Sequence, residues 1–198
     1  MTLILASQSA GRLAMLQAAG VDVTVQIPSV DEDSIKTAMT AEGAKPRDIA
    51  DALAEAKAVK VSRKFPDGLV LGCDQILVTA GGIMLDKPEN ADVAVAHLKL
   101  MSGATHRLVN AAVICEGGKP VWRIVDTAQM TMWELGDEFI THYVEAYWEH
   151  IRHSVGCYRI EAEGAQLFSS VSGSQFTIIG LPLLPVLDYL RVRGLLPT

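Results

Sequence analysis

The stretch Leu3-Ile4-Leu5-Ala6-Ser7-Gln8-Ser9-Ala10-Gly11-Arg12, with the amphipathic run that follows it over 12–19 and Gly20 at its end, decides the fold class. Four apolar residues read as a buried strand. Ser7-Gln8-Ser9 reads as a loop, and the run closed by a glycine as a helix with its C-cap. The chain therefore opens with a βα unit, and an α/β architecture is expected. Val21, Val23 and Val25 alternate with Asp22, Thr24 and Gln26 as a half-buried strand leading into Asp31-Glu32-Asp33. Pro46 suits a first helical turn, and Ile49, Leu53, Ala56 and Val59 carry helical spacing onward, with Lys57 inside that helix.

Working outward, residues 68–78 read as a buried strand interrupted by Asp74-Gln75, and Gly81-Gly82 as a hairpin turn into Ile83-Met84-Leu85. Asn90 caps a helix to about Met101, ended by Gly103. Two long strands, 105–115 and 121–133, flank the turn Glu116-Gly117-Gly118 and form an antiparallel pair, so the sheet is mixed. Asp137 is expected to cap a helix to about His150. Residues 154–160 read as a further strand, 165–174 as a Gly/Ser-rich excursion, and 184–193 as a closing helix bounded by Pro182 and Gly194. No repeat, low-complexity tract or linker divides the chain, so one domain over 1–198 is expected.

The whole chain of 198 residues is 49% hydrophobic, enough to bury a sizeable core, and carries 17 Lys+Arg against 23 Asp+Glu for a net charge of -6. No basic stripe matches a phosphate backbone, so long nucleic acids are not expected partners. The hydrophobic runs stop well short of the roughly 20 apolar residues a membrane span requires, and no membrane association is expected. Cys73, Cys115 and Cys157 are odd in number, far apart and without metal-ligand spacing, which fits a reducing cytoplasm. The first residues, 1–6, have neither the length nor the basic flank of a signal peptide, so export is not expected.

Several residues could carry chemistry. A Ser7-Gln8-Ser9 loop between strand and helix gathers backbone N–H groups and the positive helix end, and Arg12 adds a guanidinium suited to phosphate oxygens. The plain alternative is that Ser9 only caps the helix and Arg12 is solvated. Asp74 sits in the middle of an apolar strand, where an unpaired charge is costly. It needs a partner cation, a metal or an edge position. Asp31-Glu32-Asp33, just past a strand end, could help hold a hard divalent cation or could be an ordinary solvated loop. Lys57 alone reads as a surface lysine, whereas Lys87, fixed between a strand end and Pro88, is more suggestive. His150 and His153 lack an HExxH context and read as a wet helix end, and His97 and His106 are unpaired in sequence. No Gly-x-Ser-x-Gly elbow, Walker loop or dinucleotide glycine pattern is present.

Taken together, these segments resemble the Maf family of nucleoside triphosphate pyrophosphatases. The resemblance covers nearly the whole chain, through Leu5-Ala6-Ser7-Gln8-Ser9 with Arg12, Val30-Asp31-Glu32, Ala54-Glu55-Ala56-Lys57-Ala58, Gly72-Cys73-Asp74-Gln75 and Asp86-Lys87-Pro88. It continues in Met101-Ser102-Gly103 with His106, Gly156-Cys157-Tyr158-Arg159-Ile160-Glu161 with Gly164, and Ile179-Gly180-Leu181-Pro182-Leu183. The resemblance implies an α/β fold with a mixed twisted sheet flanked by helices, two lobes and a central cleft, like the inosine triphosphate pyrophosphatases, commonly as a homodimer. It implies hydrolysis of a nucleoside triphosphate between the α and β phosphates with a divalent cation, Mg²⁺ or Mn²⁺, in the removal of modified or surplus nucleotides. On that basis Ser9, Arg12, Lys57 and Lys87 would hold the triphosphate, Glu32 and Asp74 the metal, Asp74 would be the base, and Glu161 and Gln166 would lie near the nucleobase. Ala10-Gly11-Arg12 replaces the family's usual Pro-Arg-Arg, and Asp74-Gln75 its frequent Asp-Thr. The second replacement resembles the subgroup acting on 7-methyl-GTP more than the one acting on dTTP and UTP. A weakly catalytic nucleotide-binding regulator of cell division is the alternative from another class.

Overall fold

A computed structural model describes residues 2–197, leaving Met1 and Thr198 outside the description. Its elements in chain order are β1 (Leu3–Ala6), α1 (Ala10–Ala18), β2 (Val23–Val25), α2 (Glu32–Ala41), α3 (Pro46–Ser62), β3 (Leu69–Val78), β4 (Met84–Leu85) and α4 (Ala91–Met101). They continue with β5 (Thr105–Glu116), β6 (Lys119–Met132), α5 (Asp137–Ile151), a 3₁₀ turn at Glu163–Leu167, β7 (Phe168–Ser172), α6 (Gln175–Ile179) and α7 (Leu183–Val192). The strands form one mixed sheet in the order β2-β1-β3-β5-β6-β7, with β4 also paired to β3. β1 runs parallel to β2 and β3, while β3–β4 and β6–β7 are antiparallel. Helices flank the sheet, as the α/β reading expected. None of the described helices is long and apolar enough to cross a membrane.

The chain forms two compact units. Unit 1 holds residues 1–75, 110–126 and 180–198, and unit 2 holds 76–109 and 127–179. In unit 1 all four β1 residues are buried, as a continuous apolar run between two parallel neighbours requires. α3 starts at Pro46 and buries Ile49, Ala50, Leu53, Ala54, Lys57, Ala58 and Val61 along one stripe. That stripe lies against β3 at Gly72. A β-carbon there would fall 2.3 Å from the Ala54 carbonyl oxygen and 2.7 Å from the Ala58 nitrogen, so only glycine lets helix and strand meet this closely. Gly117 and Gly118, with φ of 56° and 77°, make the tight hairpin turn between β5 and β6.

Unit 2 packs α4 and α5 over a core that includes Leu77, Leu98, Met101, Leu108, Met130, Ile140 and Tyr143. Its one deeply buried histidine, His106, packs with its ring tilted against those of Tyr158 and Phe168, and its Nε2 lies 2.7 Å from the Tyr158 hydroxyl. Burial pushes its pKa down from 6.5 to about 4. The unfolded chain therefore takes up this proton first on acidification. The contribution to stability is complete above pH 6.5 and drains as the pH falls toward 4. At about 1.4 kcal/mol per pH unit, the drain amounts to roughly 3 kcal/mol. His106→Gln is expected to flatten the stability-versus-pH curve across that window, as read from urea midpoints. An unchanged slope would remove His106 as its source.

Four expectations need correction. Asp31-Glu32-Asp33 is a helix start and not a loop: Asp31 caps α2 by accepting from the Ser34 N–H at 3.0 Å, and Glu32 is its first residue. Asp137 is the first residue of α5, and Gly136 holds the cap position without a side-chain bond. No strand forms over 154–160, because Gly156 and Cys157 both take left-handed backbone angles, φ 80° and 61°, and turn the chain. The excursion over 165–174 contains the 3₁₀ turn and β7, paired with β6 through Met130–Val171 and Thr131–Ser170.

Candidate active site

The site grows from the end of β1. As the strand stops at Ala6, the Ser7 hydroxyl accepts the Ser9 N–H at 3.2 Å, and the Ser9 hydroxyl caps α1 by accepting the Arg12 N–H at 3.3 Å. Both hydroxyls are thus used in shaping the turn. Arg12 points back across it: Nε donates to the Gly180 carbonyl at 2.7 Å, and Nη1 donates to the Ser7 hydroxyl at 3.2 Å and to the Cys73 carbonyl at 3.1 Å. Arg12 is neither a solvated side chain nor an isolated cation.

One residue beyond Cys73 stands Asp74, 7% exposed within β3. Gly72 and Asp74 share one face of the strand, since side chains alternate. The contact that Gly72 permits brings α3 close enough for Lys57 to reach Asp74, Nζ to Oδ1 at 2.7 Å. The same Nζ lies 2.8 Å from Oε2 of Glu32 at the start of α2. One buried ammonium thus holds two carboxylates delivered by two other elements. Burial raises the Asp74 pKa, opposed first by Lys57 and then by Arg12, while Glu32 adds to the rise. The neighbouring Cys73 thiol is pushed up to about 11 by burial, which keeps it protonated and unreactive.

Glu32, Lys57 and Asp74 are therefore in direct contact, with Ser9 and Arg12 joined to them through the turn and the Cys73 carbonyl. Lys57 is buried, against the surface reading, because its helix turns it inward with Leu53, Ala54, Ala58 and Val61. The spacing read in the sequence, Ile49, Leu53, Ala56 and Val59, shares only its first two residues with that stripe. The Gly180 carbonyl was absent from the candidates, since a backbone acceptor leaves no residue-type signal. Lys87, Glu161 and Gln166 belong to unit 2. Lys87 is exposed in the loop before Pro88, Glu161 is exposed with its carboxylate 3.8 Å from Arg159, and Gln166 is exposed in the 3₁₀ turn. His150 faces Glu163 at 3.6 Å, and His97 lies 3.9 Å from the Cys157 sulfur.

Among the described residues no cluster of three or more His, Cys, Asp or Glu side chains could hold a metal by protein ligands alone. The donor set still suits a hard divalent ion that keeps waters and substrate oxygens in its shell. Two carboxylates converge on one lysine nitrogen, and a single lysine cannot neutralise both when they are ionised.

The family model described as "Maf-like protein" matches residues 2–193. A protein of Ruegeria pomeroyi named "Nucleoside triphosphate pyrophosphatase" is 50% identical over 196 residues, covering 99% of this chain and 98% of that one. One of the same name from Sphingopyxis alaskensis is 49% identical over 197 residues, 100% of both chains. Among solved structures, a nucleoside-triphosphatase described as a dITP/XTP pyrophosphatase from Mycobacterium abscessus aligns over 100% of this chain and 98% of that one, at 14% identity and a TM-score of 0.41.

Proposed function

The chain belongs to the Maf family of Maf-like proteins, and from that membership we propose that it is a nucleoside triphosphate pyrophosphatase, splitting the bond between the α and β phosphates to give a monophosphate and pyrophosphate. The observation that carries this is the buried Lys57 ammonium holding Asp74 and Glu32 at 2.7 and 2.8 Å. A merely nucleotide-binding protein has no use for a carboxylate buried in an apolar strand with its basicity raised.

In this reading Asp74 takes the proton of the attacking water. Lys57 aims the carboxylate by holding Oδ1, leaving the water to be met by the rest of the group. Ser9, Lys57 and Lys87 receive the triphosphate, with the charge of Arg12 beside Asp74, and the N–H groups opening α1 face the same anion. Glu32 and Asp74 would hold a divalent cation, which when bound supplies charge neutralisation at the phosphate oxygens. Glu161 and Gln166 are proposed to meet the nucleobase, and two copies of the chain to form a homodimer in the cytoplasm.

For the substrate we propose a modified guanine nucleotide such as 7-methyl-GTP, supported by Gln75 following Asp74; dTTP or UTP is the competing choice. The test is pyrophosphate release with Mg²⁺ or Mn²⁺ across common, methylated and deaminated nucleoside triphosphates. Release from the methylated class alone is expected. Release from dTTP and UTP alone overturns the substrate, and release from none overturns the activity in favour of a nucleotide-binding regulator.

A further inference from the structure

Arginine offers five N–H donors, and it grips a phosphate or carboxylate best through two of them at once, along the Nε–Nη2 edge or the Nη1–Nη2 edge. In Arg12 the Nε hydrogen goes to the Gly180 carbonyl, and Nη1 donates to both the Ser7 hydroxyl and the Cys73 carbonyl. Both gripping edges therefore include a nitrogen already committed inside the protein. Neither fork can close on a substrate phosphate without breaking one of these bonds.

What the three bonds do is also specific. Their acceptors lie 5, 61 and 168 residues away in sequence, so a single side chain ties the β1–α1 turn, the middle of β3 and the segment before α7. The Cys73 carbonyl belongs to the peptide group whose nitrogen is that of Asp74. Holding that oxygen fixes the peptide plane, and with it the direction in which Asp74 leaves the strand. Lys57 fixes the other end of the same residue, at Oδ1. The Gly180 side of the latch is equally constrained: its φ of 128° is a glycine conformation, and a β-carbon there would come within 3.3 Å of Arg12 Nε. This gives a physical role to the Gly-Leu-Pro-Leu segment, which carries no chemistry of its own.

We propose that Arg12 is a positioning residue for Asp74, latched by Gly180 and Ser7, and that it serves turnover by fixing the Cys73–Asp74 peptide rather than by clamping a substrate phosphate. The proposal rests on Asp74 being the base, as proposed above. Lysine in place of arginine keeps the charge, but its donors sit on one nitrogen, which cannot stand at both the Nε and the Nη1 positions.

The test compares Arg12→Lys, Arg12→Gln and Ser7→Ala by kcat, by KM, and by calorimetric binding of a non-hydrolysable α,β-methylene nucleoside triphosphate. A misplaced reacting group costs about 100-fold. We expect that loss in kcat for both Arg12 variants, with analogue affinity changed less than about three-fold, and a smaller loss of kcat in Ser7→Ala at unchanged affinity. The proposal is overturned if Arg12→Lys restores turnover while Arg12→Gln loses affinity and kcat/KM together, or if Ser7→Ala is neutral. Ser7→Ala removes no charge and decides the matter if an Arg12 variant does not fold. Wild-type enzyme silent on every triphosphate sinks the activity but not the latch. The latch is then judged by the resonance of Arg12 Nε–H, the donor to Gly180, expected to be protected from solvent exchange in the wild type, and overturned by a wild-type signal exchanging freely.

Discussion

Asp74→Asn is expected to lower kcat for pyrophosphate release by about 1,000-fold while the protein still folds, because an amide cannot take the proton of the attacking water. The side chain keeps its size and its place in β3. Lys57 keeps Glu32 at 2.8 Å, so the lysine is not left unpaired. Removing a charge from a site 7% exposed also relieves a desolvation cost, which offsets the lost ion pair. Thermal unfolding should therefore move little as turnover collapses. In the wild type, protonation of Asp74 as the pH falls removes the base, so turnover should fall on the acid side. Full activity in Asp74→Asn would remove Asp74 from the chemistry.

Gly72→Ala is expected to be the most destabilising single-methyl change in unit 1. The new β-carbon would lie 2.3 Å from the Ala54 oxygen, 2.7 Å from the Ala58 nitrogen and 2.9 Å from the Ala58 β-carbon. Overpacking typically costs 1–3 kcal/mol, and here the obstacle is mainly helix backbone that cannot rotate aside, so about 3 kcal/mol is expected. The helix must move off the strand, and Lys57 moves with it away from Asp74. Urea unfolding should show a lower midpoint, and the folded fraction should turn over slowly. Adding Ala58→Gly removes only the β-carbon clash and should restore a minor part of the stability. A Gly72→Ala protein of wild-type stability would mean that α3 does not rest on this glycine.

Much of this was legible in the sequence because it depends on local pattern. Leu3–Ala6, the helix opened by Pro46, the Asn90 cap and the Gly117-Gly118 hairpin are each set by a few adjacent residues. Asp74 also announced itself, as a charge inside an apolar run. What escaped depends on other signals. Lys57 read alone is a surface lysine, and only the whole stripe from Ile49 to Val61 shows which way it faces. The acidic triplet drew attention to its charge and away from Asp31 as a helix cap. α2 buries none of its residues fully, and its half-buried Ile35 and Met39, four apart, went unread beside that triplet. At Cys157, φ 61° is a conformation no residue type there would suggest, and an apolar run was mistaken for a strand. The partners of Arg12 are mostly carbonyl oxygens, which every residue possesses and no pattern distinguishes.

Unit 1 is assembled from three separate stretches of chain, the last beginning at Gly180. During synthesis, β1, α3 and β3 leave the ribosome early with Asp74 and Lys57 already among them. The carbonyl that secures Arg12 does not exist until more than a hundred further residues have been added. A nascent chain thus carries the acid and its lysine without the third restraint until Gly180 has been added. If Arg12 acts as the latch proposed above, the base it would steady is unlatched in any chain that has not yet reached Gly180.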